Sequence, residues 1–212
     1  MKRIVCVLGS PRPKGNSAAM ARAVCDAAAL EGAKVRTFEL NKLAYRGCQG
    51  CMACKTKAEA CVLDDGLTPV LEAVRACDVL VLATPVYFGE VTAQLKGLID
   101  RCYSFLTPDY AFNKEKRTRL APGKTLCFVI AQGHPREDLF TDIFPRYAYF
   151  FNWLGFSHSR LLRACKVYHL GDAKKRPEVL EDAGDLGGIA PQLREWIASH
   201  DRIGFRQRHL QT

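Results

Sequence analysis

The chain has 212 residues, 48% of them hydrophobic, 25% charged and 9% aromatic, which is ordinary globular composition and excludes a disordered or collagen-like protein. Thirty-one Lys and Arg against 22 Asp and Glu give a formal net charge of +9, spread over distant segments as a solvated basic surface rather than gathered into a nucleic-acid stripe. No apolar stretch reaches the ~18 residues of a membrane span, and residues 4–8 fall short of the roughly 7–15 residues of a signal-peptide core, so a cytoplasmic protein is expected.

Residues 4–8 (IVCVL) form a short, β-branched apolar run stopped by Gly9-Ser10-Pro11, which predicts a strand buried on both faces. An Ala-rich helical pattern follows over 17–31 and ends at Gly32. A second strand is expected over 34–40, then a stretch without periodicity over 41–66. A helix over 67–76 and a strand over 78–83 (DVLVLA) come next, followed by a helix over 91–103. Residues 107–124 read as an exposed loop. The fourth strand is expected over 125–131 (TLCFVIA), a long aromatic helix over 139–154, a fifth strand over 161–169, and a last helix over 189–199.

Repeated strand–helix alternation predicts an α/β fold with both faces of a parallel sheet covered. Five strands suit a doubly wound, flavodoxin-like order. The chain is expected to be a single domain over 1–212, with a cysteine-rich insertion at about 44–66.

In such a sheet, ligands bind beyond the carboxyl ends of the strands. The loop after the first strand offers Ser10, Arg12, Lys14, Gly15, Asn16 and Ser17 at the start of a helix, whose free amides and dipole attract an anion. It is not a Walker A loop, because five residues separate Gly9 from Gly15 and Asn16 stands in place of lysine. Nor is it a G-x-G-x-x-G fingerprint. A phosphomonoester fits what remains; a plain polar turn with an Asn or Ser cap is the alternative. The loop after the third strand holds Pro85, Val86, Tyr87, Phe88 and Gly89, where adjacent aromatics would wall a flat ring and backbone groups would meet its polar edge. Gln132 and Gly133, with His134 beyond them, would close the pocket. Phosphate and planar ring together indicate FMN.

Ten cysteines complete the inventory. Cys48, Cys51, Cys54 and Cys61 fall within 14 residues, where chance predicts about 0.7. Three thiolates in this overlapping C-x2-C-x2-C spacing, with a fourth nearby, suit a [4Fe–4S] cubane, although the last gap is six residues and Val62 stands where a ferredoxin has proline. Zinc or free thiols remain open. Gly47 and Gly50 allow tight turns, and Arg46, Lys55 and Lys57 offset negative charge. Cys6, Cys25, Cys77, Cys102, Cys127 and Cys165 read as small buried hydrophobes.

Gly9-Ser10-Pro11-Arg12, Gly15-Asn16-Ser17, the 85–89 loop and residues 95–101 (LKGLIDR) together resemble the flavodoxin-like NAD(P)H-dependent FMN reductase family over about residues 1–135. The cysteines make the chain similar to its iron–sulfur flavoprotein type. This resemblance implies that Ser10, Arg12, Asn16 and Ser17 surround the phosphate and that Pro85 to Gly89 line the isoalloxazine. It implies electron relay between FMN and a cluster, with no side chain acting as acid or base, a donor such as ferredoxin or NAD(P)H, and a homodimer or homotetramer. The aromatic stretch 147–156 exceeds one helix face, through core packing or a subunit contact. The alternatives are an NAD(P)H-dependent FMN or quinone reductase without a cluster, and, in another class, a nucleotide- or nucleic-acid-binding regulator.

Overall fold

In the computed structural model, which describes residues 1–185, the first apolar run is an inner strand of a five-stranded sheet. Strand β1 (Arg3–Leu8) pairs in parallel with β2 (Lys34–Glu39) on one side and β3 (Val79–Pro85) on the other. β4 (Thr125–Ala131) joins β3, and β5 (His158–Ala164) closes the far edge. The order β2-β1-β3-β4-β5, all parallel, is the flavodoxin-like order expected. The strand order reverses between β1 and β3, so their carboxyl ends flank a crevice.

The three central strands bury both faces, and their side chains alternate between two cores. Val5, Val7, Leu80, Leu82, Leu126, Phe128 and Ile130 point to one side, where α3 (Thr68–Ala76), α4 (Ala93–Arg101) and α5 (Ile143–Trp153) cover them. Ile4, Cys6, Leu8, Val81, Ala83, Cys127 and Val129 point to the other, beneath α1 (Asn16–Leu30) and α6 (Pro177–Asp185). The face of α1 turned to the sheet carries Ala18, Ala21, Ala27 and Ala28, short side chains that bring the helix close. A four-residue helix, α2 (Ala53–Thr56), sits within the cysteine-rich segment. Each fully buried aliphatic side chain contributes about 1.5–3 kcal/mol, so these two layers hold the sheet together.

Several boundaries differ from expectation. β5 begins at His158 and ends at Ala164, not over 161–169, because it is an edge strand with only Leu162 and Ala164 buried and no continuous apolar run. Lys166, at φ 60°, turns the chain out of the sheet, and buried Val167 belongs to the following loop. The aromatic helix starts at Ile143 instead of 139, since Phe140 at φ 62° cannot continue a right-handed helix. The helix expected over 91–103 is α4 flanked by its cap, Thr92, whose Oγ1 accepts from Leu95 N at 3.3 Å, and by a 3-10 turn over Cys102–Phe105. Helix α6 was not anticipated, despite Pro177 and Glu178 opening it in the manner of a helix start. The helix expected over 189–199 lies outside the described residues. Of the six scattered cysteines, five are buried and Cys165 is only half-buried. Among the described residues, no helix is long and apolar enough to cross a membrane.

Candidate functional site

A cleft of about 450 Å3 opens at the carboxyl ends of β1, β3 and β4, and all three expected loops border it. In the first loop, Gly15 N donates to Arg12 O at 2.9 Å and Arg12 N to Ser10 Oγ at 3.1 Å, folding residues 10–15 into a concave turn. Gly15 is the residue before α1, and no side chain caps that helix, so its first amides keep their donor capacity. A Cβ on Gly15 would come within 3.1 Å of both Arg12 O and Ser10 Oγ and would crowd the turn. Ser17 is nearly wholly buried, and its Oγ has no partner among the described residues. A free hydroxyl, helix-start amides and the Arg12 charge in one concavity fit a phosphate group.

Two residues of this loop behave differently from expectation. Lys14 is exposed and outside the cleft. Asn16 borders the cleft, but its carboxamide is committed elsewhere. Nδ2 donates to Val167 O at 2.9 Å and His169 O at 2.8 Å, and Oδ1 accepts from Ala173 N at 3.1 Å. Asn16 thus ties the first loop to the one after β5 and can offer the ligand only its backbone.

The second loop is a two-residue hairpin turn. Tyr87 N donates to Glu90 O and Glu90 N to Tyr87 O, with Phe88 at φ 48° and Gly89 at φ 85° between them. Both central residues are left-handed, as a type I′ turn requires. Phe88 is fully exposed and Tyr87 partly so. Val86 N is taken by Ala131 O at 2.9 Å, which leaves the Phe88 and Gly89 amides as the turn's donors for a ring edge. Glu90 braces the turn from behind: its carboxylate accepts from Val91 N at 2.7 Å, Arg146 at 2.6 Å and Tyr147 Oη at 3.2 Å. Burial first, and then the Glu90 charge, push the Tyr147 hydroxyl pKa well up, so it stays a donor.

In the third loop, Gln132 is buried and its amide is spent on structure. Nε2 donates to His134 O and Arg136 O, and Oε1 accepts from Arg163. Gln132 shapes the rim rather than presenting its side chain. Gly133 lies under the Tyr168 ring, 3.0 Å separating a Cβ there from Tyr168 Cδ2. Five further lining residues were missed: Ala131, Phe140, Val167, Tyr168 and Leu170. The last three follow β5, whose end also faces this edge; extending that strand to 169 hid the loop. With β5 ending at Ala164, Tyr168 is a loop aromatic at the cleft.

The four clustered cysteines border a second, small hollow together with Arg101, Tyr103 and Ser104. Gly50 at φ 62° and Met52 at φ 58° put two left-handed residues between Cys48 and Cys54, so the backbone there turns tightly. Cations surround them. Lys55 Nζ stands 3.7 Å from Cys54 Sγ and donates to Tyr103 O and Leu106 O; Arg119 donates to Cys54 O at 3.0 Å. Burial pulls the Lys55 pKa below its ordinary value. Arg101, its side chain wholly buried, pairs with Asp65 at 2.9 Å and donates to Arg46 O and Leu63 O, which clamps both ends of the loop. Among the described residues, no three His, Cys, Asp or Glu side chains are drawn together closely enough to hold a metal ion. Four soft donors lining one hollow, with the buried Arg101 and the half-buried Lys55 and Arg119 beside them, are the donor type of a thiolate-held polynuclear centre.

The family model for NADPH-dependent FMN reductase matches residues 2–137. An iron–sulfur flavoprotein of Methanocaldococcus jannaschii is 36% identical over 99 residues, 47% of this chain and 51% of that protein. One of Methanosarcina thermophila is 31% identical over 121 residues, 57% and 63% of the two chains. The chain thus matches between about half and two thirds of the length of these curated relatives. An NAD(P)H:quinone oxidoreductase from Methanothermobacter marburgensis superposes with a TM-score of 0.64 at 18% identity, over 88% of this chain and 95% of that one, which shows the shared fold. With most of its length under that family model, the chain belongs to the NADPH-dependent FMN reductase family, among relatives named iron–sulfur flavoproteins.

Proposed function

We propose that this protein is an FMN-dependent electron-transfer oxidoreductase, with FMN in the cleft and a [4Fe–4S] cluster on Cys48, Cys51, Cys54 and Cys61. The observation that carries the reading is the cleft itself: an orphaned Ser17 hydroxyl, uncapped helix amides and Arg12 at one end, and Tyr87, Phe88 and Tyr168 at the other. Ser10, Arg12, Gly15 and Ser17 would hold the phosphate, with Asn16 contributing its amide. Pro85 to Gly89, Gly133 and the rim built by Gln132 would bound the ring, the Phe88 and Gly89 amides meeting its polar edge. When bound, FMN takes up a hydride or electron pair and releases electrons singly, while a four-iron cluster moves one at a time. The protein's residues bind, orient and set the local charge, and none is required as an acid or base. The donor is ferredoxin or NAD(P)H. A homodimer or homotetramer is supported by α5, whose Tyr149 and Phe150 stand exposed against Trp153.

Anaerobically purified protein tests this directly. One FMN and about four irons and four acid-labile sulfides per chain are expected, with Cys51→Ala losing the iron and keeping the flavin. Flavin without iron would point instead to a cluster-free FMN or quinone reductase. Neither chromophore, with salt-sensitive binding of polyanions, would overturn the reading.

A further inference from the structure

Arg101 is buried and incompletely satisfied. Its guanidinium has five N–H donors, and a buried charge is expected to satisfy all of them. Nη1 donates to Arg46 O at 3.0 Å and Asp65 Oδ2 at 2.9 Å, and Nη2 to Leu63 O at 2.9 Å. Nε is buried and has no partner among the described residues, although the side chain is 0% exposed. The same residue borders the hollow that the four clustered cysteines also line. Ser104, which also lines the hollow, donates through Oγ to Arg101 O at 2.9 Å and does not serve Nε. A buried donor left unsatisfied in a native structure marks a strained, functional or ligand-occupied position.

We infer that Arg101 Nε–H is a hydrogen-bond donor reserved for a sulfur of the metal centre held by Cys48, Cys51, Cys54 and Cys61, and that Arg101 sets that centre's reduction potential. The inference rests on the cluster proposed above. Two independent features place the donor: the four cysteines and Arg101 line one hollow, and the Asp65 carboxylate with two carbonyls fixes the guanidinium plane. Three fixed contacts on Nη1 and Nη2 leave the Nε–H direction no freedom to swing to another acceptor. A hydrogen bond to cluster sulfur favours the more negative, reduced state and raises the potential. Arg101 is therefore a positioning and tuning residue, while the cysteines bind the metal. Lys55 and Arg119 act differently. Lys55 Nζ is shared between Cys54 Sγ and two carbonyls, and Arg119 serves carbonyls only.

The test uses the purified holoprotein labelled with 15N at arginine Nε and reduced with dithionite. Iron and sulfide analysis comes first. Pulsed EPR of the reduced cluster is then expected to show a 15N coupling and a proton coupling lost in deuterium oxide. Arg101→Lys, which keeps a positive charge, is expected to lose the nitrogen coupling and to shift the midpoint potential downward. A cluster signal in the wild-type protein without nitrogen coupling overturns the inference, even if the variant fails to fold. A folded Arg101→Lys protein with unchanged coupling and potential overturns it equally. Protein containing no iron or sulfide defeats the cluster reading itself, and the inference with it.

Discussion

Ser17 and Asp65 illustrate how single side chains divide between binding and stability. An unpartnered buried hydroxyl such as Ser17 Oγ costs about 1–3 kcal/mol, whereas a hydrogen bond to a charged group returns about 1.5–3 kcal/mol. Ser17→Ala is therefore expected to leave the flavin-free protein as stable as the parent or slightly more so. Its FMN affinity should fall roughly tenfold or more, read from quenching of flavin fluorescence. A variant with parental FMN affinity would remove Ser17 from the phosphate site. Asp65 works the other way. Burial opposes its charge, but Arg101 and the amides of Arg46 and Leu67 hold its carboxyl below the ordinary carboxylate range. Stability from such a depressed group is full above the unfolded value of about 3.9 and is lost as pH falls through it toward the folded value. Asp65→Asn strands the buried Arg101 charge, so it should cost about 3 kcal/mol at pH 7 and flatten the acid limb of a denaturation-against-pH curve below about pH 4. An acid limb identical to the parent's would show that the pair contributes no linkage.

The hairpin turn at the cleft mouth shows strain retained at the scale of an element. Phe88 holds φ 48° with its ring in solvent, a conformation that costs an ordinary L-residue about 1–2 kcal/mol. Glu90, gripped by Val91 N, Arg146 and Tyr147, keeps the turn in place. Asparagine tolerates that backbone, so Phe88→Asn should raise the melting temperature of the flavin-free protein by about 2–4 °C. It should also weaken FMN binding, because the wall loses a ring; a lower melting temperature would show that Phe88 is not strained. This turn also marks what was legible beforehand. Strands of unbroken apolar residues such as 79–83 and 125–131 identify themselves, because two buried faces demand them. β5 did not, since an edge strand reading HSRLLRA needs only two buried side chains. The cleft's loops were recognisable from composition, but the direction of a side chain was not. Asn16 and Gln132 are polar residues at a ligand edge whose amides turn inward, to bonds with segments 151 and more residues away in one case and with the loop's own carbonyls in the other. Lys14 points away because nothing local fixes a long side chain on an exposed turn.

At the scale of the molecule, α4 is the rod that separates the two sites. Its cap Thr92 donates through Oγ1 to Gly9 O at 2.7 Å and accepts from Leu95 N at 3.3 Å, next to the first loop of the cleft, while Arg101 at its far end borders the hollow lined by the cysteines. Nine residues of helix span roughly 13 Å. The cleft and the hollow share no lining residue. Sites that far apart without common partners are expected to act additively, within about 0.3–0.5 kcal/mol, or a factor of about two in affinity. FMN at a hundred times its dissociation constant adds about 2.7 kcal/mol of stability by mass action alone, so its removal should lower the melting temperature by several degrees. That decrease should have the same size in Cys51→Ala as in the parent, and the FMN dissociation constants of the two should agree within about twofold. A tenfold difference would instead mean that the cysteine segment, which packs Tyr45 and Gly47 against Gly97 of α4, transmits its state along that helix to the flavin loops. Differential scanning calorimetry of the four forms, with and without flavin and with and without metal, distinguishes a scaffold carrying two independent centres from one whose helix couples them.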